Sequence, residues 1–111
     1  MRELSAQHLK EHLETCQLKP DELPPLLLDV RQPWEYDICK LDNSILVPMS
    51  QIPAKVESYD MKRETVLICH HGIRSRNVGH YLEQAGFSNI INLSGGIDQW
   101  ARTVDQKMAT Y

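Results

Sequence analysis

Four short apolar runs recur along the chain and constrain its fold more than any other feature. They are LLLDV (26–30), SILVP (44–48), TVLIC (65–69) and NIINL (89–93). Apolar runs of this length are typical of strands that are covered on both faces of a sheet. Segments with helical periodicity separate the later runs, as in Val78, Tyr81, Leu82 and Ala85. Strands that alternate with helices predict an α/β domain with a mostly parallel sheet and helices on both faces.

Local signals predict where several helices begin and end. Ser5 is placed to cap the first helix, and Ser50 could cap a short helix through residues 51–59. Gly86 is expected to end the helix that contains the periodic positions given above. The two tryptophans, Trp34 and Trp100, both fit core packing.

Length and composition limit the classes of protein to consider. The chain has 111 residues without a repeat or a dividing linker, so we predict one domain over residues 1–111 with a tail that frays after about Lys107. The formal net charge of −3 argues against nucleic-acid binding. No stretch approaches the roughly 20 apolar residues of a membrane span, and the N-terminus lacks an apolar signal segment. Three scattered cysteines do not indicate a disulfide framework. We therefore expect a cytoplasmic protein with no membrane partner.

The segment CHHGIRS (69–75) gathers positive potential around one thiol at the end of the third strand candidate. In parallel α/β sheets, ligands bind outside the carboxyl ends of the strands. A tight loop that leads into a helix turns backbone N–H groups inward, and the helix N-terminus adds positive potential. Gly72 permits a positive φ, Arg74 supplies a planar donor fork and Ser75 supplies a hydroxyl. We therefore predict that Cys69 is a nucleophilic thiolate in an anion-binding cradle.

Three segments resemble the single-domain rhodaneses, which are rhodanese-homology sulfurtransferases. They are LLLDVRQPWEY (26–36), CHHGIRSR (69–76) and YLEQAGFSNIINLSGGIDQW (81–100), in the order and spacing of that family. The N-terminal ELSAQHLKEHL (3–13) also resembles the opening strand and helix of these proteins. The resemblance implies a rhodanese-like fold with about five strands in the central sheet, and an activity for which we predict no cofactor and no metal.

The resemblance also implies a persulfide mechanism with Cys69 as the catalytic residue. Its thiolate would take the outer sulfur of thiosulfate or another anionic donor and pass it to cyanide, a thiol or a protein acceptor. Backbone N–H groups of residues 70 to 74 would hold the terminal sulfur anion, and the histidine pair would set substrate access and charge. The substrate-binding residues implied in this way are His70, His71, Gly72, Ile73, Arg74 and Ser75.

Two other functions stay open. A persulfide carrier module would deliver sulfur to a protein partner without turning over small donors. A cysteine phosphatase or arsenate reductase would use a similar cradle, but in the phosphatases one residue more separates the cysteine from the arginine. Here four residues lie between Cys69 and Arg74, and Ile68 stands where the tyrosine-phosphatase signature has a histidine. The shorter loop favours a sulfur atom over a tetrahedral phosphate.

Charged residues after the first apolar run have two interpretations each. Asp29 and Arg31 resemble a family motif, and a buried ion pair or loop brace is favoured over direct catalysis. Glu35 either orients a loop arginine or is a surface charge.

The other thiols and histidines also leave alternatives. Cys39 lies where many rhodaneses have a Gly-His-Ile segment, and it could resolve the Cys69 persulfide as a disulfide. His8 and His12 stand at a metal-binding spacing, but an exposed polar face is favoured because no third ligand is evident. The histidines at 70–71 are adjacent in sequence, so their rings are expected to point in different directions and to hold no metal.

Overall fold

Five parallel strands form the central sheet of the protein, and the computed structural model describes all 111 residues. The strands are β1 (Arg2–Leu4), β2 (Leu26–Asp29), β3 (Ile45–Leu46), β4 (Thr65–Ile68) and β5 (Ile90–Leu93). Their order across the sheet is β1-β5-β4-β2-β3, and each neighbouring pair is parallel. The predicted α/β class and parallel sheet are confirmed. Each of the four apolar runs contains a strand, and the N-terminal segment supplies the fifth.

Helices and short turns make the connections between the strands. The helices are α1 (Ala6–Gln17), α2 (Pro33–Ile38), α3 (Ile52–Lys55), α4 (Ile73–Gln84) and α5 (Gly96–Thr103). Two 3₁₀ turns, Met49–Gln51 and Val56–Ser58, flank α3. None of these helices has the length and apolar character needed to cross a membrane.

Two apolar clusters pack on opposite faces of the sheet because side chains alternate along each strand. After Thr65, the β4 segment directs Leu67 and Cys69 to the cluster that α3 and α4 cover. It directs Val66 and Ile68 to the other cluster, which α1 and α5 cover. The sheet therefore has helices on both faces, and Cys69 lies on the face from which α4 begins.

The strand order places a crevice at the carboxyl ends of β2 and β4. The chain continues from β2 to β3 on one side of this pair and from β4 to β5 on the other side. The connections therefore diverge between the two strands, and ligands of open α/β sheets bind at such a point. The loop that begins at Cys69 and the segment 30–35 after β2 meet there.

The structure tests the predicted helix ends one by one. The Ser5 hydroxyl caps α1 by accepting the N–H of the third following residue at 3.2 Å. Gly86 follows α4 with φ of 108°, as a helix-ending glycine does. The prediction for Ser50 is wrong, because Ser50 lies inside the 3₁₀ turn Met49–Gln51 and makes no capping hydrogen bond. That turn begins directly after Pro48, so the serine is past the position from which a cap could act.

Two expectations about packing differ from the structure. Trp34 is 60% exposed, because it lies in the first turn of the short α2 outside both core clusters. Trp100, in contrast, is half-buried and packs against the cluster under α1 and α5, as expected. The tail after Lys107 is not frayed, since Met108 packs against the same cluster and the Tyr111 ring docks on the loop after β4.

Candidate active site

The Cys69 side chain lies at the base of the loop that joins β4 to α4. Its Sγ accepts the N–H of Gly72 at 3.0 Å, the N–H of Ser75 at 3.4 Å and the hydroxyl of Ser75 at 3.2 Å. All three partners are donors, so they favour a sulfur that carries negative charge. Only 1% of Cys69 is exposed to solvent. The residue therefore combines a nearly buried position with surroundings suited to an anion.

Gly72 gives the loop its shape. Its φ of +94° is left-handed and favours glycine. A Cβ at this position would lie 3.0 Å from the carbonyl oxygen of Leu93 and 3.1 Å from the amide nitrogen of Gly95. Because α4 begins at the next residue, the positive end of this helix is directed at the Cys69 sulfur.

Four further amides of the loop are free of hydrogen bonds within the protein. They are the N–H groups of His70, His71, Ile73 and Arg74. The first two lie between the strand and the helix, and the other two lie in the first turn of α4, where N–H groups have no intrahelical acceptor. Free amides at a helix N-terminus are donors for a bound anion.

The start of α5 holds the opposite side of the loop. The N–H of Ile97 donates to the Cys69 carbonyl at 2.9 Å, and the N–H of Asp98 donates to the His70 carbonyl at 3.0 Å. Gly96 permits this approach, because a Cβ there would collide with the carbonyl group of His70. The carbonyls of Cys69 and His70 therefore face α5. Because a trans peptide directs its N–H opposite to its C=O, the N–H groups of His70 and His71 point away from α5.

The Arg74 guanidinium binds Glu35 instead of extending freely into the loop. Its Nη1 and Nη2 donate to the two carboxylate oxygens, each at 2.7 Å. Glu35 also accepts the Tyr111 hydroxyl at 2.7 Å and the N–H of Gln32 at 3.1 Å. These hydrogen bonds, with those of Arg74 the strongest, lower the pKa of Glu35 to about 2. Glu35 therefore orients a loop arginine, Arg74, and is not a free surface charge.

Asp29 and Arg31 form a fully buried ion pair beside this contact. Nη2 of Arg31 donates to Oδ2 of Asp29 at 2.7 Å, and neither side chain is exposed. Arg31 also donates to the carbonyl oxygens of Glu35 at 3.2 Å and Cys39 at 2.6 Å. The pair therefore braces the last turn of α2, the helix that carries Glu35, as the favoured interpretation expects.

The histidine pair lies at the entrance to the loop. The His70 ring stacks on the Tyr111 ring at a centroid distance of 3.9 Å and on the His71 ring at 3.9 Å. Burial and the neighbouring His71 lower the pKa of His70, which keeps this ring neutral at neutral pH. The two rings lie against each other, which differs from the expected divergence, and His71 Nε2 lies 3.9 Å from the Asp98 carboxylate. Ile73 is 64% exposed on the outer side of the loop.

Cys39 is held away from the loop thiol. It packs against the cluster under α1 and α5, whereas Cys69 belongs to the cluster on the other face of the sheet. Its Sγ lies 3.8 Å from Nη1 of Arg31. A disulfide between the two cysteines would therefore require the segment after α2 to rearrange.

Comparison with known proteins identifies the family of this chain. Residues 5–103 match the model of the family described as rhodanese-like domain. The chain belongs to the rhodanese-like domain family. It is 36% identical over 100 residues to a putative sulfurtransferase of Bacillus subtilis, YtwF, and the match covers 90% of each chain. It is 37% identical over 87 residues to a probable adenylyltransferase/sulfurtransferase of Mycobacterium tuberculosis, MoeZ, in a match of 77% of this chain that spans 22% of that longer protein.

The fold of the rhodanese-like domain extends over the whole chain. The crystal structure of a rhodanese-like domain protein from Staphylococcus aureus superposes with a TM-score of 0.79 at 27% identity. That match covers 100% of this chain and 99% of the other.

Three residues that support this rhodanese-like site were not singled out as site residues in the sequence. They are Asn92, Gly96 and Tyr111. The Asn92 side chain donates to the Gly72 carbonyl at 3.1 Å, and the signal was a buried polar residue in the run NIINL. The signal for Gly96 was the pair of consecutive glycines at 95–96, since such a pair indicates a close backbone approach. Tyr111 lies beyond the family match, and nothing in the sequence indicates its contacts.

Proposed function

We propose that this protein is a sulfurtransferase that carries the transferred sulfur as a persulfide on Cys69. The observation that carries the proposal is the set of three hydrogen bonds to Sγ, from the N–H of Gly72 at 3.0 Å and from the N–H and hydroxyl of Ser75 at 3.4 and 3.2 Å. These N–H and O–H groups stabilise the Cys69 thiolate that attacks the sulfur compound. They also stabilise the same thiolate when it leaves as the acceptor takes the sulfur. Relatives named as sulfurtransferases support the same activity.

The reaction has two half-reactions, written here for thiosulfate. The Cys69 thiolate attacks the outer sulfur of S₂O₃²⁻, an S–S bond forms to Sγ, and the S–S bond of thiosulfate breaks with its electron pair leaving on SO₃²⁻. The enzyme then holds Cys69–S–S⁻. Cyanide attacks the terminal sulfur and leaves as SCN⁻, or a thiolate R–S⁻ leaves as R–S–S⁻, and the Cys69 thiolate returns in both cases. Ping-pong kinetics are expected.

The free amides of the loop supply a site for the terminal sulfur. A persulfide bond of about 2 Å places the charged atom away from Sγ, so this second sulfur needs hydrogen-bond donors of its own. The unpaired backbone N–H groups of His70, His71, Ile73 and Arg74 are free hydrogen-bond donors on the loop for this atom. The positive end of α4 adds favourable potential for an anionic donor.

Side chains of the same loop supply positive charge near the sulfur and form the entrance to the site. Arg74 contributes positive charge beside the sulfur although Glu35 occupies its terminal nitrogens. The neutral His70 ring and the exposed His71 ring lie at the entrance, where they set access for donor and acceptor. We place the reaction in the cytoplasm, where thiols are kept reduced and are available as acceptors.

Intact-mass measurement after exposure to thiosulfate tests the first half-reaction. The wild-type protein should gain the mass of one sulfur atom, and a reductant should remove it. Cys69→Ser should gain nothing. Cys39→Ser and Cys16→Ser are matched controls that should behave as the wild type does, because neither thiol contacts the loop.

Turnover then separates an enzyme from a carrier. Production of thiocyanate from thiosulfate and cyanide over many cycles, absent in Cys69→Ser, is the expected result. One sulfur bound per chain without further turnover would support the persulfide carrier instead. A protein that acquires no sulfur from thiosulfate, or from a low-molecular-weight persulfide, would contradict the proposal.

A further inference from the structure

Three potential metal ligands meet at the end of β4 that is remote from Cys69. The Nε2 atom of His12 lies 2.5 Å from Oε1 of Glu64 and 3.8 Å from Sγ of Cys16. The three ligand atoms all lie within 4.8 Å of one another. Glu64 precedes β4 and Cys69 follows it, and five steps of extended chain correspond to about 17 Å. This cluster is therefore separate from the candidate active site.

The local sequence explains why these groups converge. His12 and Cys16 stand four residues apart on α1, so their side chains lie one turn apart on the same face. That face lies against the start of β4, where Glu64 is the residue before the strand. Arg2 donates to Oε2 of Glu64 at 3.0 Å, and Arg2 is held in turn by the Asn89 side chain at 2.9 Å. The second carboxylate oxygen is thereby left directed at His12.

We propose that His12, Cys16 and Glu64 form a zinc(II) site that connects α1 to the start of β4. Imidazole nitrogen, thiolate and carboxylate are the three ligand types that zinc takes in proteins. Tetrahedral coordination with normal bond lengths sets the N···S distance at about 3.6 Å and the N···O distance at about 3.3 Å. The observed N···S distance of 3.8 Å is close to this value, and the N···O distance of 2.5 Å requires the His12 nitrogen and the Glu64 oxygen to separate by less than about 1 Å.

Exposure and charge are compatible with a bound ion. The His12 and Glu64 side chains are 28% and 22% exposed, which leaves room for a water molecule as the fourth ligand. On binding, zinc replaces the hydrogen bond between His12 and Glu64. The proton on Nε2 of His12 passes to Nδ1 of the neutral ring, or to solvent where the ring is protonated, and the Cys16 thiol releases its proton to solvent. The Cys16 thiolate and the Glu64 carboxylate then balance the two charges of the ion.

The second group of metal-binding side chains is less suitable. His70, His71 and Asp98 also lie close together, but they belong to the active-site loop and its support. Asp98 is already bound by Arg102 at 2.9 Å. This group contains no thiolate, so a metal there has a different spectroscopic signature.

Cobalt(II) titration under anaerobic conditions tests the proposal, because cobalt in a tetrahedral thiolate site gives intense visible bands and a sulfur-to-metal charge-transfer band. The titration uses the Cys69→Ser variant, which lacks the reactive thiol and retains His12, Cys16 and Glu64. We expect one cobalt per chain with a charge-transfer band, and displacement of cobalt by zinc. In this background Cys16→Ser should abolish the band, and His12→Gln should lower the affinity by more than about 100-fold.

Matched controls separate the site from its neighbours. His8→Gln changes an exposed histidine one turn before His12, and Cys39→Ser removes the other thiol; neither should change the spectrum. Circular dichroism checks that each variant is folded, and zinc should raise the melting temperature of the Cys69→Ser protein but not that of its Cys16→Ser derivative. Absence of a charge-transfer band, a band that persists in Cys16→Ser, or cobalt bands lost only in His71→Asn would overturn the proposal.

Discussion

The contact between Glu35 and Arg74 makes a quantitative prediction. It joins α2, after β2, to the loop after β4 through two hydrogen bonds of 2.7 Å each. Glu35 is 3% exposed, so its carboxylate depends on these partners for stabilisation of its charge. Substitution of Glu35 by Gln keeps the shape of the side chain, removes its charge and leaves Arg74 with a neutral neighbour.

The pKa of Glu35 gives the magnitude of the stability that Glu35→Gln should lose. It falls from 4.5 to about 2, chiefly because of the Arg74 hydrogen bonds. A fall of this size corresponds to about 3 kcal/mol of stability when the group is fully shielded. Since the Arg74 side chain is 33% exposed, water screens part of the interaction, and we expect Glu35→Gln to lose about 2 kcal/mol at neutral pH.

Urea denaturation across a range of pH provides the assay. The folded-state pKa of Glu35 lies below its unfolded value, so its contribution is complete above about pH 4.5 and is lost as the pH falls toward 2. The difference in unfolding free energy between wild type and Glu35→Gln should therefore be full at pH 7 and should shrink steadily between pH 4.5 and the lowest pH at which both proteins are folded.

A control and a double-mutant cycle complete this test. Glu14→Gln removes a carboxylate from the exposed i,i+4 pair with Lys10 and should leave stability unchanged within error. Arg74→Gln should cost less in the Glu35→Gln protein than in the wild type, because the two side chains act as one unit. Equal costs in both backgrounds, or a stability difference that does not depend on pH, would refute the reasoning.

Three further predictions concern the loop and its cover. Gly72→Ala should destabilise the protein by more than about 1 kcal/mol in chemical denaturation, because φ is +94° and the new Cβ would lie 3.0 Å from the Leu93 carbonyl oxygen. Ser75→Ala removes the hydroxyl that donates to Cys69 at 3.2 Å and should lower kcat for thiocyanate formation by about tenfold or more, with little change in the melting temperature. Tyr111→Phe removes a hydroxyl that makes two hydrogen bonds and should destabilise the protein by about 1 kcal/mol, whereas an unchanged urea midpoint would show that these two hydrogen bonds contribute nothing.

The fold could be predicted because its main signal is repeated and local. Leu26 to Asp29 and Thr65 to Ile68 are buried along their whole length, and strands of this kind are apolar whatever packs against them. The strand β1 is different, since Arg2–Leu4 has three residues of which two are exposed. Only resemblance to a family indicated it. The short helices after β3 were misjudged at Ser50 because 3₁₀ turns and α-helical turns share the same weak capping signals.

The cradle could also be predicted, since its parts lie within seven residues of one another. Cys69, Gly72 and Ser75 are separated by less than one turn of loop and one turn of helix, so their approach follows from local backbone geometry. The partners of this cradle could not be predicted in the same way. Glu35 and Tyr111 are 76 residues apart in sequence, and their contact exists only after the sheet and the tail are in place.

Arg74 shows how a contact between residues distant in sequence affects which groups of the loop can bind a substrate. The sequence indicates a positive charge near the sulfur, but the charge does not reveal that both terminal nitrogens are bound to Glu35. Two of the five N–H groups of Arg74 are used in this way. The backbone N–H groups of residues 70, 71, 73 and 74 have no acceptor within the protein, so all four are free to bind an anionic sulfur compound. Backbone N–H groups remain when a side chain is replaced. We therefore expect substitutions of His70 and His71 to change the KM for the sulfur-donating and sulfur-accepting compounds, and to have a smaller effect on the stability of the bound sulfur anion.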